Sequence, residues 1–135
     1  MIGLDTNVLV RYFAQDDEAQ AHEAERVIDT LTDDDPGFVS LVVLCELIWV
    51  LGHAYRVPAD EILVIVEGML STRELRIQEA DSVHRAVRSS RTAPAEMVDA
   101  LVGELGAAAG CTETVTFDRA AAELATMRLL TTRRG

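Results

Sequence analysis

The first seven residues constrain this chain more than any other stretch. The apolar run Met1, Ile2, Gly3, Leu4 stops abruptly at Asp5, Thr6, Asn7, and a helical apolar pattern (Val8, Leu9, Tyr12, Phe13) begins at once. A short buried strand that runs directly into a helix is the opening of an open α/β sheet, whose ligands gather at the carboxyl ends of the strands. Asp5 is expected at such an end. Two roles suit it there: a ligand-binding carboxylate, or the N-cap of the next helix.

The rest of the chain continues the alternation. A helix is expected over 18–31, a strand over 38–39, and a long apolar helix capped by Ser40 and reaching about Tyr55. Pro58 and Asp60 restart a helix to about Leu70, with Ile62, Ile65, Val66 and Met69 on one face, followed by a strand over 75–77. Helices over 80–90 and 95–109 follow, the second opened by Pro94 and buried along Val98, Leu101, Val102, Leu105 and Ala109. A strand over 114–117 stops at Asp118, repeating the pattern of Asp5, and a short helix (120–125) leads to an edge strand over 127–130. The reading is a single α/β domain over 1–130: a short, mostly parallel central sheet of four to five strands flanked by helices, with 131–135 as a frayed tail.

Charge and composition narrow the function. The 23 acidic residues against 12 basic ones give a net charge of −11, which repels nucleic acid unless the charge is unevenly placed or offset by bound cations. All twelve bases are arginine, and the lack of lysine argues against a P-loop, a Schiff-base enzyme or a phospho-acceptor receiver domain. Cys45 and Cys111 have no zinc-ligand spacing and are expected to be free thiols. The apolar run 38–52 is too short for a membrane span and contains Glu46, and the N-terminus has no basic segment, so a cytoplasmic protein is expected. Between Asp16 and Asp35 there are nine acids and one arginine, Arg26: a solvated helix face, or a receiver for a basic partner segment.

Several residues are awkward unless they carry chemistry. Glu46 is the only charge in an apolar helix and needs a metal, an arginine partner or an exposed edge. Asp99 lies beside Gly103 and Gly106, which implies a close approach of ligand or of packed backbone. If Asp5, Glu46, Asp99 and Asp118 met at one sheet edge they would repel one another unless divalent cations lay between them, and hard oxygen donors suit Mg²⁺ or Mn²⁺. From Ser82 to Pro94 there is no acid, while His84, Arg85, Arg88 and Arg91 form a basic stretch in which 84, 88 and 91 share a face. It suits contact with phosphate, or pairing with the acidic helices.

Read together, LDTNVLVR (4–11), the 40–46 stretch, VDALV (98–102) and GCTETVTFDR (110–119) resemble the PIN-domain ribonucleases, in particular VapC-type toxins of type II toxin-antitoxin systems. The resemblance maps an acidic catalytic and metal-binding site onto Asp5, Glu46, Asp99 and Asp118, with Thr6, Asn7, Ser40 and Thr116 orienting the site, and capping left to Thr6 and Asn7. Many relatives carry an acidic-aromatic pair where this chain has Glu96 and Met97, which makes Glu96 an accessory acid. It further implies one or two Mg²⁺ or Mn²⁺ ions, hydrolysis of phosphodiester bonds in tRNA or rRNA loops to arrest translation, a small VapB-type antitoxin and a homodimer. The rival readings are a non-catalytic PIN-like RNA- or protein-binding module and a haloacid-dehalogenase-like phosphatase. The phosphatase would want a second acid at position 7 and a lysine.

Overall fold

Every strand of the computed structural model, which describes residues 1–93 and 95–132, is paired in parallel. The chain divides after Ala80 into two compact units. In the first, β1 (Ile2–Gly3), β2 (Gly37–Val39) and β3 (Leu75–Ile77) form a sheet in that order, with Ile2 opposite Gly37 and Val39 opposite Ile77. Parallel neighbours cannot be joined by a tight turn. Helices α1 (Thr6–Ala14) and α2 (Glu18–Asp29) fill the first crossover, and α3 (Leu41–His53) and α4 (Ala59–Ser71) the second. The second unit holds α5 (Ala80–Thr92), α6 (Met97–Ala108) and the pair β4 (Thr114–Thr116) and β5 (Met127–Leu129). Residues 117–126 join that pair through one 3-10 turn at Ala121–Glu123. The α/β class expected from the sequence is the one found, with three strands bonded in one unit and two in the other.

The core of the first unit follows from helical spacing. Leu44, Leu47 and Leu51 of α3 are buried to within 2%, as are Leu9, Val39 and Val66 of the same unit. Each such leucine contributes about 1.5–3 kcal/mol by leaving water. Ser40 caps α3 as expected, its Oγ accepting from the Val43 N–H at 3.2 Å, and Asp17 caps α2 through the Gln20 N–H at 3.1 Å. Beyond α3, the Tyr55 hydroxyl donates to Asp16 at 2.7 Å while Arg11 donates to Asp16 at 3.0 Å and to Tyr55 at 3.2 Å. The Tyr55 hydrogen bond, then Arg11, hold the Asp16 carboxyl below its usual range.

Two expectations about burial are corrected. The first strand is not buried: Ile2 is 46% exposed, and Leu4, just past β1, carries the burial. Its N–H bonds to the Phe38 carbonyl at 2.9 Å and its side chain covers Gly37, where a Cβ would lie 2.8 Å from Leu4 Cδ1. The inward stripe of α6 is also shifted, to Met97, Ala100, Leu101 and Gly103, leaving Val102 48% exposed and Ala109 on the surface. Glycine explains the shift. A Cβ at Gly103 would stand 2.0 Å from Thr126 Oγ1 and one at Gly106 2.6 Å from Thr114 Oγ1, so α6 turns its smallest residues toward the β4–β5 threonines. The close approach beside Asp99 is therefore that of threonine side chains packed on the helix. Pro94 and residues 133–135 lie outside the described residues. No helix among the described residues is long and apolar enough to cross a membrane.

Candidate functional site

In the first unit, the end of β1 delivers Asp5 directly to the start of α1. Its extended backbone (φ −81°, ψ 160°) makes it the N-cap, and Oδ1 accepts from the Thr6 N–H at 2.8 Å. Asp5 itself, rather than Thr6 or Asn7, is thus the cap, because Thr6 already lies inside the first helical turn. Thr6 is buried, and its Oγ1 donates to Glu46 Oε1 at 2.8 Å, tying α1 to α3. Glu46 is not buried in the apolar helix. Val42, Glu46, Trp49 and His53, at intervals of four, three and four, form an outward face of α3 while the leucines point inward. Asn7 is exposed and lines a shallow depression with Arg11, Gln20 and Glu23.

The second unit places three carboxylates within electrostatic reach of one another. Glu96 takes the N-cap position of α6 without a side-chain cap bond, and Asp99 lies half-buried in the first turn. Burial first, then the charge of Asp118, then that of Glu96, push the Asp99 carboxyl above its ordinary value. Asp118 follows β4. Its N–H donates to Thr116 Oγ1 at 3.0 Å, and its Oδ1 accepts from the N–H groups of Ala120 and Ala121 at 2.8 and 3.1 Å. Asp5, Asp99 and Asp118 all stand at the starts of helical segments, where the exposed N–H groups favour negative charge.

A common feature emerges. In Asp5, Glu46 and Asp118 one carboxylate oxygen is fixed by hydrogen bonds, and the other carries none among the described residues. Each of these groups is thus held in orientation on one side and left open on the other. Among the described residues, neither unit taken by itself gathers three His, Cys, Asp or Glu side chains around one point. The first unit brings Asp5, Thr6 and Glu46 together, the second Asp99, Asp118, Glu96 and Thr116.

The profile of the PIN domain matches residues 2–127. The chain belongs to the PIN domain family. The PIN domain is generally a nuclease-type fold and typically metal-dependent. No curated protein matches the chain at a significant level. The matched span of this PIN domain includes Asp5, Glu46, Asp99 and Asp118. A divalent cation fits the donor chemistry, since every candidate donor is a hard carboxylate oxygen.

The basic stretch of the PIN domain divides. Arg85 is engaged, its Nε 3.3 Å from Glu104 Oε2 and its Nη2 donating to Ser82 at 3.2 Å, which is the pairing alternative. Arg88 and Arg91 are exposed on α5. Part of the acidic run is likewise paired: Arg76 with Asp33, Arg26 with Glu23, and the N-terminal ammonium with Asp35. Both cysteines are free, and burial pushes the half-buried Cys45 thiol up. One grouping went unread in the sequence. Trp49 is 60% exposed and stacks on His53, ring centroids 4.8 Å apart at 17°. The spacing 42, 46, 49, 53 was the available signal, hidden because a tryptophan in an apolar helix reads as core.

Proposed function

We propose that this PIN domain is a metal-dependent endoribonuclease toxin of the VapC type, cutting single-stranded loops of structured RNA, tRNA or rRNA, and held in check by a small antitoxin with a basic segment. The single observation that carries the reading is the set of half-tethered carboxylates Asp5, Glu46 and Asp118, with Asp99 half-buried near Asp118 in the second unit. These four would hold Mg²⁺ or Mn²⁺, one or two ions. When bound, the cation supplies Lewis acidity for phosphodiester hydrolysis.

The protein's own part is positional. The Thr6 hydroxyl fixes Glu46 Oε1, the Thr6 N–H fixes Asp5, and the start of the 3-10 turn fixes Asp118. Each leaves one oxygen unspent for the site. Ser40 is occupied in capping α3 and contributes by holding that helix, and Glu46 on it, in place. Glu96 adds charge beside Asp99 as an accessory acid. Arg88, exposed on α5, would meet RNA phosphate, with Arg85 and Arg91 on the same helix. Homodimer formation and a cytoplasmic setting complete the proposal, in keeping with the VapC-type resemblance.

The test incubates purified protein, free of antitoxin, with total RNA and Mg²⁺ or Mn²⁺, and maps new 5′ ends against Asp99→Asn. Cleavage at discrete loop sites by the wild type alone is the expected result. Equal cleavage by the variant would sink the catalytic assignment. For the antitoxin, reversing charges at Asp29 and Asp34 is expected to weaken a basic partner's binding at least tenfold, and unchanged affinity would remove the acidic run from the interface.

A further inference from the structure

The outward face of α3 contains a carboxylate between two exposed apolar side chains. Val42, 72% exposed, stands one turn before Glu46, and Trp49, 60% exposed, one turn after it. A solvated helix face does not ordinarily carry a tryptophan there. The indole is also pre-ordered. His53 stacks on it at 4.8 Å and 17°, and the His53 Nδ1–H donates to the Trp49 carbonyl at 3.0 Å, the carbonyl being able only to accept. One ring face is thereby supported by imidazole while most of the side chain remains accessible.

We infer that Trp49, backed by His53, is a stacking platform for an unpaired nucleobase of the RNA substrate, one helical turn from Glu46. The inference rests on the ribonuclease reading and adds a positioning residue to it. Single-stranded bases are held by aromatic side chains irrespective of sequence, and a fixed ring loses little freedom on binding. The offset of three residues, about 4.5 Å along the helix, sets a base on the indole while its neighbouring phosphate lies toward Glu46. A second copy of the chain suits this face less well. Two apolar side chains fall far short of the roughly 800 Å² per partner that a stable interface buries, and symmetric association would press Glu46 against its own copy.

Trp49 is the sole tryptophan, so its fluorescence reports on this site alone. Asp99→Asn protein, unable to cleave, is titrated in Mg²⁺ with A12 and U12 single strands and with a 12-base-pair RNA duplex, and cleavage by Trp49→Ala and Trp49→Phe is measured against wild type. Saturable quenching by the single strands and not by the duplex is expected. Trp49→Ala should raise KM roughly tenfold to a hundredfold with kcat within about twofold, and Trp49→Phe should restore most of the loss. Absent quenching, quenching by the duplex alone, or Trp49→Ala cleaving as well as wild type overturns the platform. So does a Trp49→Ala protein that changes from dimer to monomer in sedimentation while cleaving normally. If the wild type cleaves no RNA yet its tryptophan is quenched by single strands, the platform stands and the nuclease reading fails.

Discussion

Replacing glycine by alanine is expected to have opposite signs at two helical positions of this chain. In a helix interior the exchange gains about 1 kcal/mol from backbone propensity. At Gly68, exposed on α4 with nothing within 4 Å of the added Cβ, that gain stands alone, and Gly68→Ala should stabilise by about 1 kcal/mol. At Gly103 the new methyl would meet Thr126 Oγ1 at 2.0 Å and Thr126 Cβ at 2.9 Å. Thr126 cannot withdraw freely, because its carbonyl accepts from the Thr114 N–H at 2.8 Å. Overpacking costs about 1–3 kcal/mol, and contacts this short belong at the upper end. The net effect of Gly103→Ala is a loss of about 1–2 kcal/mol, or roughly 4 °C in Tm for each kcal/mol at this size. Urea unfolding followed by far-UV circular dichroism separates the two variants. Thr126→Ala in the Gly103→Ala background should recover part of the loss, since only the 2.9 Å contact remains. If both single variants shift the midpoint the same way, close packing is not why α6 carries glycine at 103.

Three further outcomes are expected. Thr6→Val keeps the shape but removes the donor to Glu46 Oε1, so RNA cleavage should fall about tenfold while the urea midpoint moves little; unchanged cleavage would mean Glu46 needs no orientation. Asp99→Asn should stabilise the cation-free protein at neutral pH: a raised carboxyl stabilises the fold below its ordinary range and loses that contribution as pH rises through the folded value. The advantage of the variant in EDTA should therefore vanish as pH falls below the ordinary carboxylate range, and Mn²⁺ should raise the Tm of wild type more than that of the variant. Asp16 has the reverse sign, held low by Tyr55 first and Arg11 after it, so its contribution is present at neutral pH and lost as pH falls through the depressed value. Tyr55→Phe should lower stability at pH 7 and converge on wild type in acid, and a difference that persists at the lowest pH would assign the loss to packing instead.

Sequence pattern and structure agree where local chemistry decides. β3 spans the expected residues 75–77, and Ser40 caps α3, because strand propensity and capping act within a few residues. They part where a helix must choose which face to turn inward. Glu46 could not be placed on a face because its helix is apolar all round, yet Leu44, Leu47 and Leu51 fill the core and leave Val42, Glu46 and Trp49 outside, the exposed alternative. In α6 the glycines, not the larger aliphatics, meet the strands, since the separation is set by threonines at 114 and 126. Asp5, Glu46, Asp99 and Asp118 stand out in the sequence as an ordered set of candidates. Their tethers were legible only in part: the caps made by Asp5 and Asp118 are local, whereas the bond from Thr6 to Glu46 spans forty positions and depends on two helices meeting.

Parallel pairing also sets a timetable for synthesis. β4 finds its strand partner among the described residues in β5, at Met127–Leu129, after the 3-10 turn that Asp118 caps. The Thr114 and Leu130 N–H groups that close this pair act on the Thr126 and Thr116 carbonyls, so the bonds wait for the chain to pass residue 130. Until then the strand that presents Asp118 has no ladder to hold it. A nascent chain has already exposed Asp5 and Glu46 by that stage, but the strand that leads to Asp118 is paired only once β5 has cleared the ribosome. The β4–β5 pair is thereby a late product of synthesis of this unit, whatever the earlier strands have already formed.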